Sequence, residues 1–397
     1  MSTPNLLDES LPLPAAVIYQ SRLDNNLHWM QRFAEHNQVQ LCPHGKTTMT
    51  PDFFRRQIDA GAWGLTLATV PQVKAAADAG VPRILMANQL VGRANMDIVS
   101  DLLAQGLQYY CLVDNPDNIR ALNRFFGERG QTLPVLLEVG VPGGRCGCRT
   151  RHQIDTVLAA LKDAPALQLS GVETYEGVIH GSDPEAAIRA HLQSVRALTL
   201  ELHQSGQFAV ETPILTGAGS AWYDVVMEEF GPVRDQGLLP VLRPGCYLIH
   251  DKGIYWEAQS DIMTRLPRDC QPGGNLQSSL EVWAYVQSIP EPGMAILTIG
   301  KREVAFDAGL PQPVLHYRPT DSTESGSAQP QPAPNDWEVD HIMDHHSRLR
   351  TRPDADLQVG DIIALSTSHP CLTFDKWRQL LVINDHYQLL RRVDTHF

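Results

Sequence analysis

Val39-Gln40-Leu41-Cys42-Pro43-His44-Gly45-Lys46-Thr47-Thr48 is the stretch whose reading decides the fold. A short apolar, β-capable run ends in Pro43, Gly45 and a single lysine, and a helix-forming segment, 52–60, comes next. Strand, punctuated turn and helix make one unit of a β/α repeat. The same rhythm extends outward from it. Upstream, residues 13–20 predict a strand and 21–36 a helix, with Ser21 at its N-cap and Leu23, Leu27, Met30 and Phe33 at helical spacing. Downstream, strands are predicted to end near Thr69, Asn88, Asp114, Gly140, Tyr175, Thr216 and Leu242. Those runs are apolar without alternation, as in strands buried on both faces.

Helices are predicted over 71–79, 94–105, 116–127, 151–161 and 183–204. Gly61, Gly80 and Gly106 follow helices, where a C-cap glycine belongs. Eight strand–helix units over about 220 residues match a (β/α)8 TIM barrel, with the seventh and eighth helices the weakest signals. A doubly wound sheet is the competing architecture and usually has fewer strands. After about Tyr255 the pattern turns to strands with turn punctuation, three of them within 280–309 and others at 337–341, 361–366 and 379–384. The expected division is a barrel domain over 21–255 and a β domain made of 1–20 and 256–397. Between Arg318 and Asn335 a Ser/Thr/Pro/Gln-rich stretch predicts a mobile loop or insertion.

The bulk properties fit an enzyme-sized globular chain. It has 397 residues, 43% hydrophobic and 19% charged, ample for a sizeable core. Thirty-two basic against 45 acidic residues give a net charge of −13, and no basic run offers a footprint for nucleic acid or an anionic membrane. No apolar stretch approaches the roughly 20 residues of a membrane span, and the first residues lack signal-peptide features. Seven cysteines without a regular framework suggest thiols in a reducing, cytoplasmic compartment.

Chemistry-bearing residues gather at the predicted strand ends. A lysine there, Lys46, is placed to hold a Schiff-base cofactor, against the plainer reading of a solvated loop lysine. After the fifth strand, Arg145 follows glycines that permit close backbone approach, and a surface arginine is the alternative. Tyr175, ending the sixth, is a ring to face an aromatic cofactor or an ordinary core tyrosine. Thr216-Gly217-Ala218-Gly219-Ser220 after the seventh strand suits phosphate binding by backbone N–H groups and hydroxyls, and the turn Arg243-Pro244-Gly245-Cys246-Tyr247 after the eighth could complete that cradle. Near the C-terminus, His369 and Cys371 would face one side of an extended segment and grip one metal ion, leaving positions open for substrate. A thiolate with an imidazole favours zinc over magnesium or manganese. Asp344-His345-His346 is a solvated turn or a cluster supporting that metal. Cys146 and Cys148 are assigned no chemistry.

Pro43-His44-Gly45-Lys46-Thr47, Tyr175-Glu176-Gly177, Thr216-Gly217-Ala218-Gly219, Arg243-Pro244-Gly245-Cys246-Tyr247, Asp307-Ala308-Gly309 and His369-Pro370-Cys371 occur in this order. Together they resemble the D-serine dehydratase and D-threonine aldolase family of pyridoxal-phosphate enzymes, which is related to alanine racemase, over about residues 13–385. The resemblance implies an alanine-racemase-like barrel with a β domain, a homodimer and a small-molecule D-amino acid substrate. It implies pyridoxal 5'-phosphate on Lys46, a phosphate site of Thr216, Gly217, Ala218, Gly219, Ser220, Gly245 and Tyr247, and Arg145 and Tyr175 beside the cofactor. Lys46, His44 and Tyr175 are the candidate catalytic residues.

His369 and Cys371 match the family's metal pair, for Zn2+ or another divalent metal. His-x-Cys with zinc resembles the dehydratases, whereas the aldolases more often show His-x-Asp. The chain departs from the family at Gly45 and Thr48-Met49, at Ala218 where glycine is common, and at Asp344-His345-His346 in place of a Glu-Glu-His run. The expected activity is elimination from a D-3-hydroxy amino acid such as D-serine, giving a 2-oxo acid and ammonia. A retro-aldol enzyme, a racemase and a non-catalytic cofactor-binding protein are the alternatives.

Overall fold

The structure is a computed structural model that describes residues 3–319 and 329–397. It contains two compact units. One comprises Met30–Gly245 with Asp261–Gly273, and the other comprises the chain up to Trp29 with Cys246–Ser260 and Gly274–Phe397. Among the described residues no helix is long and apolar enough to cross a membrane.

Strands are numbered along the chain. β1 (Ala15–Tyr19) belongs to the second unit. The first unit holds β2 (Gln40–Leu41), β3 (Leu65–Leu67), β4 (Arg83–Gln89), β5 (Gln108–Val113), β6 (Leu133–Val139), β7 (Leu167–Thr174), β8 (Ile214–Gly217) and β9 (Leu239–Leu242). All eight pair in parallel in the order β2-β9-β8-β7-β6-β5-β4-β3. Backbone bonds from Trp63 N to Leu41 O (2.7 Å) and Thr66 N to Pro43 O (2.8 Å), with a parallel bridge between His44 and Thr66, join the two ends of that order into a ring.

Cys42, Leu85, Leu112, Leu136, Ile214 and Val241 pack together from six of the strand segments. This filled interior explains why the strands read as continuous apolar runs: inner and outer faces are both buried. Burial pushes the Cys42 thiol up to about 11, so it behaves as a small apolar group.

The predicted helices lie within a residue or two of Pro51–Asp59, Val70–Asp78, Arg93–Ala104, Pro116–Gly127, Arg151–Lys162 and Pro184–Gln204. Gly61, Gly80 and Gly106 each take positive φ after their helices. The seventh helical position is filled by Tyr223–Phe230. Ser21 does not cap the first helix, which begins at Gln20; its hydroxyl instead donates to Asp385 Oδ1 at 2.6 Å.

The second unit is a ten-stranded sheet. Besides β1 it contains β10 (Leu280–Glu291), β11 (Met294–Leu297), β12 (Gln312–Tyr317), β13 (Gln331–Pro332), β14 (Glu338–Ile342), β15 (Ser347–Arg350), β16 (Ile362–Ser366), β17 (Gln379–Ile383) and β18 (Leu389–Asp394). Alternation along β10 divides the sheet's two faces. Val282, Ala284 and Val286 enter one core, while Trp283 enters another with Val17, Tyr19, Ile362 and Leu381.

Two expectations fail here. Residues 303–309 form turns rather than a strand, because Glu303 and Val304 donate back to Gly300 O. The stretch expected to be a loop is partly built in. β13 pairs with β12, and Arg318 is bonded to Asp361 and Asp356; residues 320–328 of that stretch lie outside the described residues.

Asp361 anchors this sheet. Its buried carboxylate accepts from Arg318 Nε and His316 Nε2, each at 2.8 Å. Burial alone would raise it, but the bonds from His316 and Arg318 hold it at about 2. A carboxylate depressed on folding stabilises fully above its unfolded value of about 3.9 and loses that stabilisation as pH falls through its folded value. Asp361→Asn is therefore expected to cost on the order of 2 kcal/mol at neutral pH. Thermal melts should show the gap to wild type closing between pH about 4 and about 2.

Candidate active site

Lys46 stands in the helical turn Gly45–Thr47 that follows β2, with an exposed side chain among buried neighbours. The turn is locked against the one after β9. His44 N donates to Pro244 O at 3.2 Å, and a Cβ on Gly245 would lie 2.7 Å from both the Cβ and the carbonyl oxygen of His44. Only glycine fits there. Burial, followed by the charges of Lys46, Arg243 and Arg145, holds the His44 imidazole well below its usual range, so a neutral ring stands two residues from the lysine.

Arg145 and Tyr175, 30 positions apart in sequence, meet: the guanidinium carbon lies 4.3 Å from the centre of the Tyr175 ring. The tyrosine packs against the loop after β8, since a Cβ on Gly219 would lie 3.0 Å from its Cε2. Sequence reading gave Glu176 no role, yet it organises that loop. Its buried carboxylate accepts the N–H of Ala218 at 3.1 Å and of Gly219 at 2.7 Å. Ala218 takes φ 81°, a left-handed conformation that turns consecutive amides inward. Gly245 N donates to Ser220 Oγ at 3.1 Å, tying the two turns together.

Thr216 is buried and donates to Val241 O at 2.9 Å, so its hydroxyl serves the sheet. Tyr247, in the turn Cys246–Leu248, is buried at 2% exposure in the other unit. An exposed amine, an arginine-backed ring and a glycine- and hydroxyl-bearing loop that Glu176 holds in shape fit a phosphorylated aromatic aldehyde. Glu176→Ala leaves two amides without their acceptor, and cofactor affinity is expected to fall roughly tenfold, the equivalent of one buried hydrogen bond. Cofactor titration monitored by fluorescence measures it, with thermal melts separating loop loosening from global unfolding.

Deeper in the same mouth lies a charge network that the sequence did not disclose. Glu138 and Glu173 are in register on neighbouring strands. Glu173 is paired with Arg243 in a contact whose side chains are 2% and 4% exposed, and Arg243 Nη2 also donates to Thr174 O at 3.0 Å. Arg243 Nε and Glu173 Oε2 are buried without hydrogen-bond partners among the described residues. Burial, then the Glu173 charge, pushes Glu138 up to about 8. Asp114, Glu138 and Cys146 offer ligand atoms within 4.8 Å of one another, the one such group of three among the described residues. Asp114 Oδ2 also accepts Gly147 N–H at 2.8 Å. Neighbouring strand ends bring these groups together, and spacing along the chain does not reveal them.

In the other unit, the segment carrying His369 and Cys371 is not extended as expected. Pro370 has φ −66° and ψ −38°, and Cys371–Phe374 is a helical turn, so a spacing of two does not by itself put both side chains on one face. Asp307, in the Asp307-Ala308-Gly309 motif, supplies the orientation instead. Its Oδ2 lies 2.7 Å from His369 Nδ1. A carboxylate on Nδ1 fixes the tautomer and leaves Nε2 as the ligating atom, the usual support of a metal-bound histidine. Ser368 Oγ donates to Gly309 O at 2.6 Å, which ties the two segments together. The donor set, imidazole nitrogen plus thiol, fits a borderline-soft cation such as zinc. Asp344-His345-His346 is an exposed turn in which Asp344 pairs with Arg302 and His345 with Glu303.

Comparison with known proteins follows the same division. Residues 18–248 match the family model described as alanine racemase, N-terminal domain, and residues 279–383 match a putative serine dehydratase domain. The chain is 26% identical to a D-threonine aldolase of Arthrobacter sp over 382 residues, 94% of this chain and 89% of that protein. It is 29% identical to a D-threo-3-hydroxyaspartate dehydratase of Delftia sp. (strain HT23) over 191 residues, 47% of this chain and 50% of that one. The crystal structure of D-threonine aldolase from Filomicrobium marinum superposes with a TM-score of 0.81 at 22% identity, covering 99% of this chain and 97% of that one.

Proposed function

Because the chain belongs to the family described as alanine racemase, N-terminal domain, we propose that it is a pyridoxal-phosphate- and zinc-dependent dehydratase. Its substrate would be a D-3-hydroxy amino acid such as D-serine, and its products a 2-oxo acid and ammonia. At the coarser level the chain is a lyase of the D-serine dehydratase and D-threonine aldolase group.

Bound pyridoxal phosphate supplies an electron sink for a carbanion at the α-carbon. A bound divalent metal supplies a Lewis acid for a hydroxyl. The chain's own residues do the rest. Lys46 would carry the cofactor through Nζ and, once released, take the α-proton at the same atom. Arg145 and Tyr175 would present a charged, flat surface to the cofactor ring, and the Ala218–Ser220 loop with Gly245 would receive the phosphate. His44, held neutral, adds no second positive charge beside the lysine. His369 Nε2 and Cys371 Sγ would hold the metal.

The Asp307–His369 contact carries this reading: it holds the ring through Nδ1 and leaves Nε2 as the atom that would ligate. The thiol beside it favours zinc and hence hydroxide departure, the difficult half of an elimination. A retro-aldol reaction is the second reading, and it draws on the relatives named D-threonine aldolase and 3-hydroxy-D-aspartate aldolase. The proposed working form is a cytoplasmic homodimer with no nucleic-acid or membrane partner. The test is ammonia release from D-serine against L-serine, with zinc and with chelator. Ammonia from D-serine alone, and only with zinc, is the expected result; release that ignores either the configuration or the chelator contradicts it.

A further inference from the structure

A second thiol lies against the proposed metal pair. Cys246 Sγ is 3.5 Å from Cys371 Sγ, across 125 residues of sequence, and both belong to the β unit. Cys246 opens the turn Cys246–Leu248 and is 4% exposed; Cys371 opens the helical turn Cys371–Phe374 and is half-buried. Two thiolates bound to one tetrahedral zinc, each about 2.3 Å from the ion, stand roughly 3.8 Å apart. The observed separation lies within a few tenths of an ångström of that edge. A disulfide would need about 2.05 Å.

We propose that Cys246 is a further protein ligand of the metal, completing a Cys2His donor set with Cys371 and His369 and leaving one position open. The proposal rests on the reading of His369 and Cys371 as the metal pair. The two thiols already stand at bonding distance for a shared ion. His369, with Asp307 kept on its Nδ1, would close onto it as the ion binds, because the three donor atoms are not all within 4.8 Å of one another without the ion. A second thiolate makes the site softer and more selective for zinc over magnesium and manganese. It also brings the donor set to two negative charges, which balances the dication in a largely buried place.

Cobalt(II) is the probe, because each bound thiolate adds intensity to a near-ultraviolet ligand-to-metal band. Apo full-length protein, reduced and held without oxygen, is titrated with cobalt(II), then with zinc in competition. The wild type should show a two-thiolate band, Cys246→Ser and Cys371→Ser should each show about half of it, and the double variant none. His369→Ala should keep the band while zinc affinity falls by at least the 10- to 100-fold typical of weaker, supporting contacts. Cys146→Ser, a control for the Asp114–Glu138–Cys146 group, should leave the band unchanged. Cadmium-113 NMR of the unsubstituted protein counts the thiolates without any variant, should Cys246→Ser fail to fold. A full band and unchanged zinc affinity in folded Cys246→Ser, or a one-thiolate cadmium shift, overturns the proposal and leaves the His369–Cys371 pair standing. No cobalt band in the wild type, or one that ignores Cys371→Ser, overturns the underlying pair.

Discussion

Lys46→Ala is expected to abolish both the visible absorbance of the lysine-linked cofactor and turnover. The amine is exposed at the mouth of a closed barrel, while the residues around it are fixed by the contact between the β2 and β9 turns. Loss of a general base alone costs roughly 10²- to 10⁴-fold, and loss of covalent attachment adds to that. Pyridoxal phosphate should still bind weakly, since Glu176, Ala218, Gly219 and Ser220 are untouched. Absorbance spectroscopy with borohydride trapping and peptide mapping checks it. A variant that keeps its visible band, or a trapped cofactor that maps to another lysine, would remove Lys46 from its assigned place.

The second large effect is expected at the metal. Cys371→Ala or His369→Ala, or chelation of the wild type, should stop elimination while leaving cofactor absorbance intact. A Lewis acid on the departing hydroxyl is worth several kcal/mol, so a loss of roughly 10³-fold or more is expected. Asp307→Ala should act through its partner. It frees His369 Nδ1, so zinc affinity should fall roughly 10- to 100-fold, and added zinc should restore turnover. Measuring zinc content alongside ammonia release separates these variants. Full activity in zinc-stripped enzyme would falsify the metal's role and leave the cofactor assignment in place.

The barrel was legible because its signal is local and repeated. Eight apolar runs, each closed by a turn and most followed by a helix, leave few other architectures, and β2 through β9 lie where that rhythm put them. The β unit was only partly legible. β12, β15 and β18 carry polar residues on exposed faces, and the strand expected within 303–309 is a set of turns whose only local cue is Gly300. Lys46, Arg145 and Tyr175 were singled out from residue type and their position at strand ends, and the structure brings Arg145 and Tyr175 together. Glu176, Asp307 and the Glu173–Arg243 pair were not assigned roles, because each acts on a partner 42 to 70 residues away. A carboxylate in a turn looks the same in sequence whether it faces water or holds a loop. Cys246 escaped for the same reason: a single cysteine in a turn gains meaning only from the second thiol 3.5 Å away.

D-threonine tests the central claim most directly, because its two possible fates share no carbon product. Purified enzyme loaded with pyridoxal phosphate and zinc is incubated with D-threonine, and the products are quantified by mass spectrometry. The dehydratase reading predicts 2-oxobutanoate and ammonia in equal amounts, dependent on Lys46 and on zinc. Glycine and acetaldehyde in equal amounts, with no 2-oxobutanoate, would contradict it and establish the aldolase.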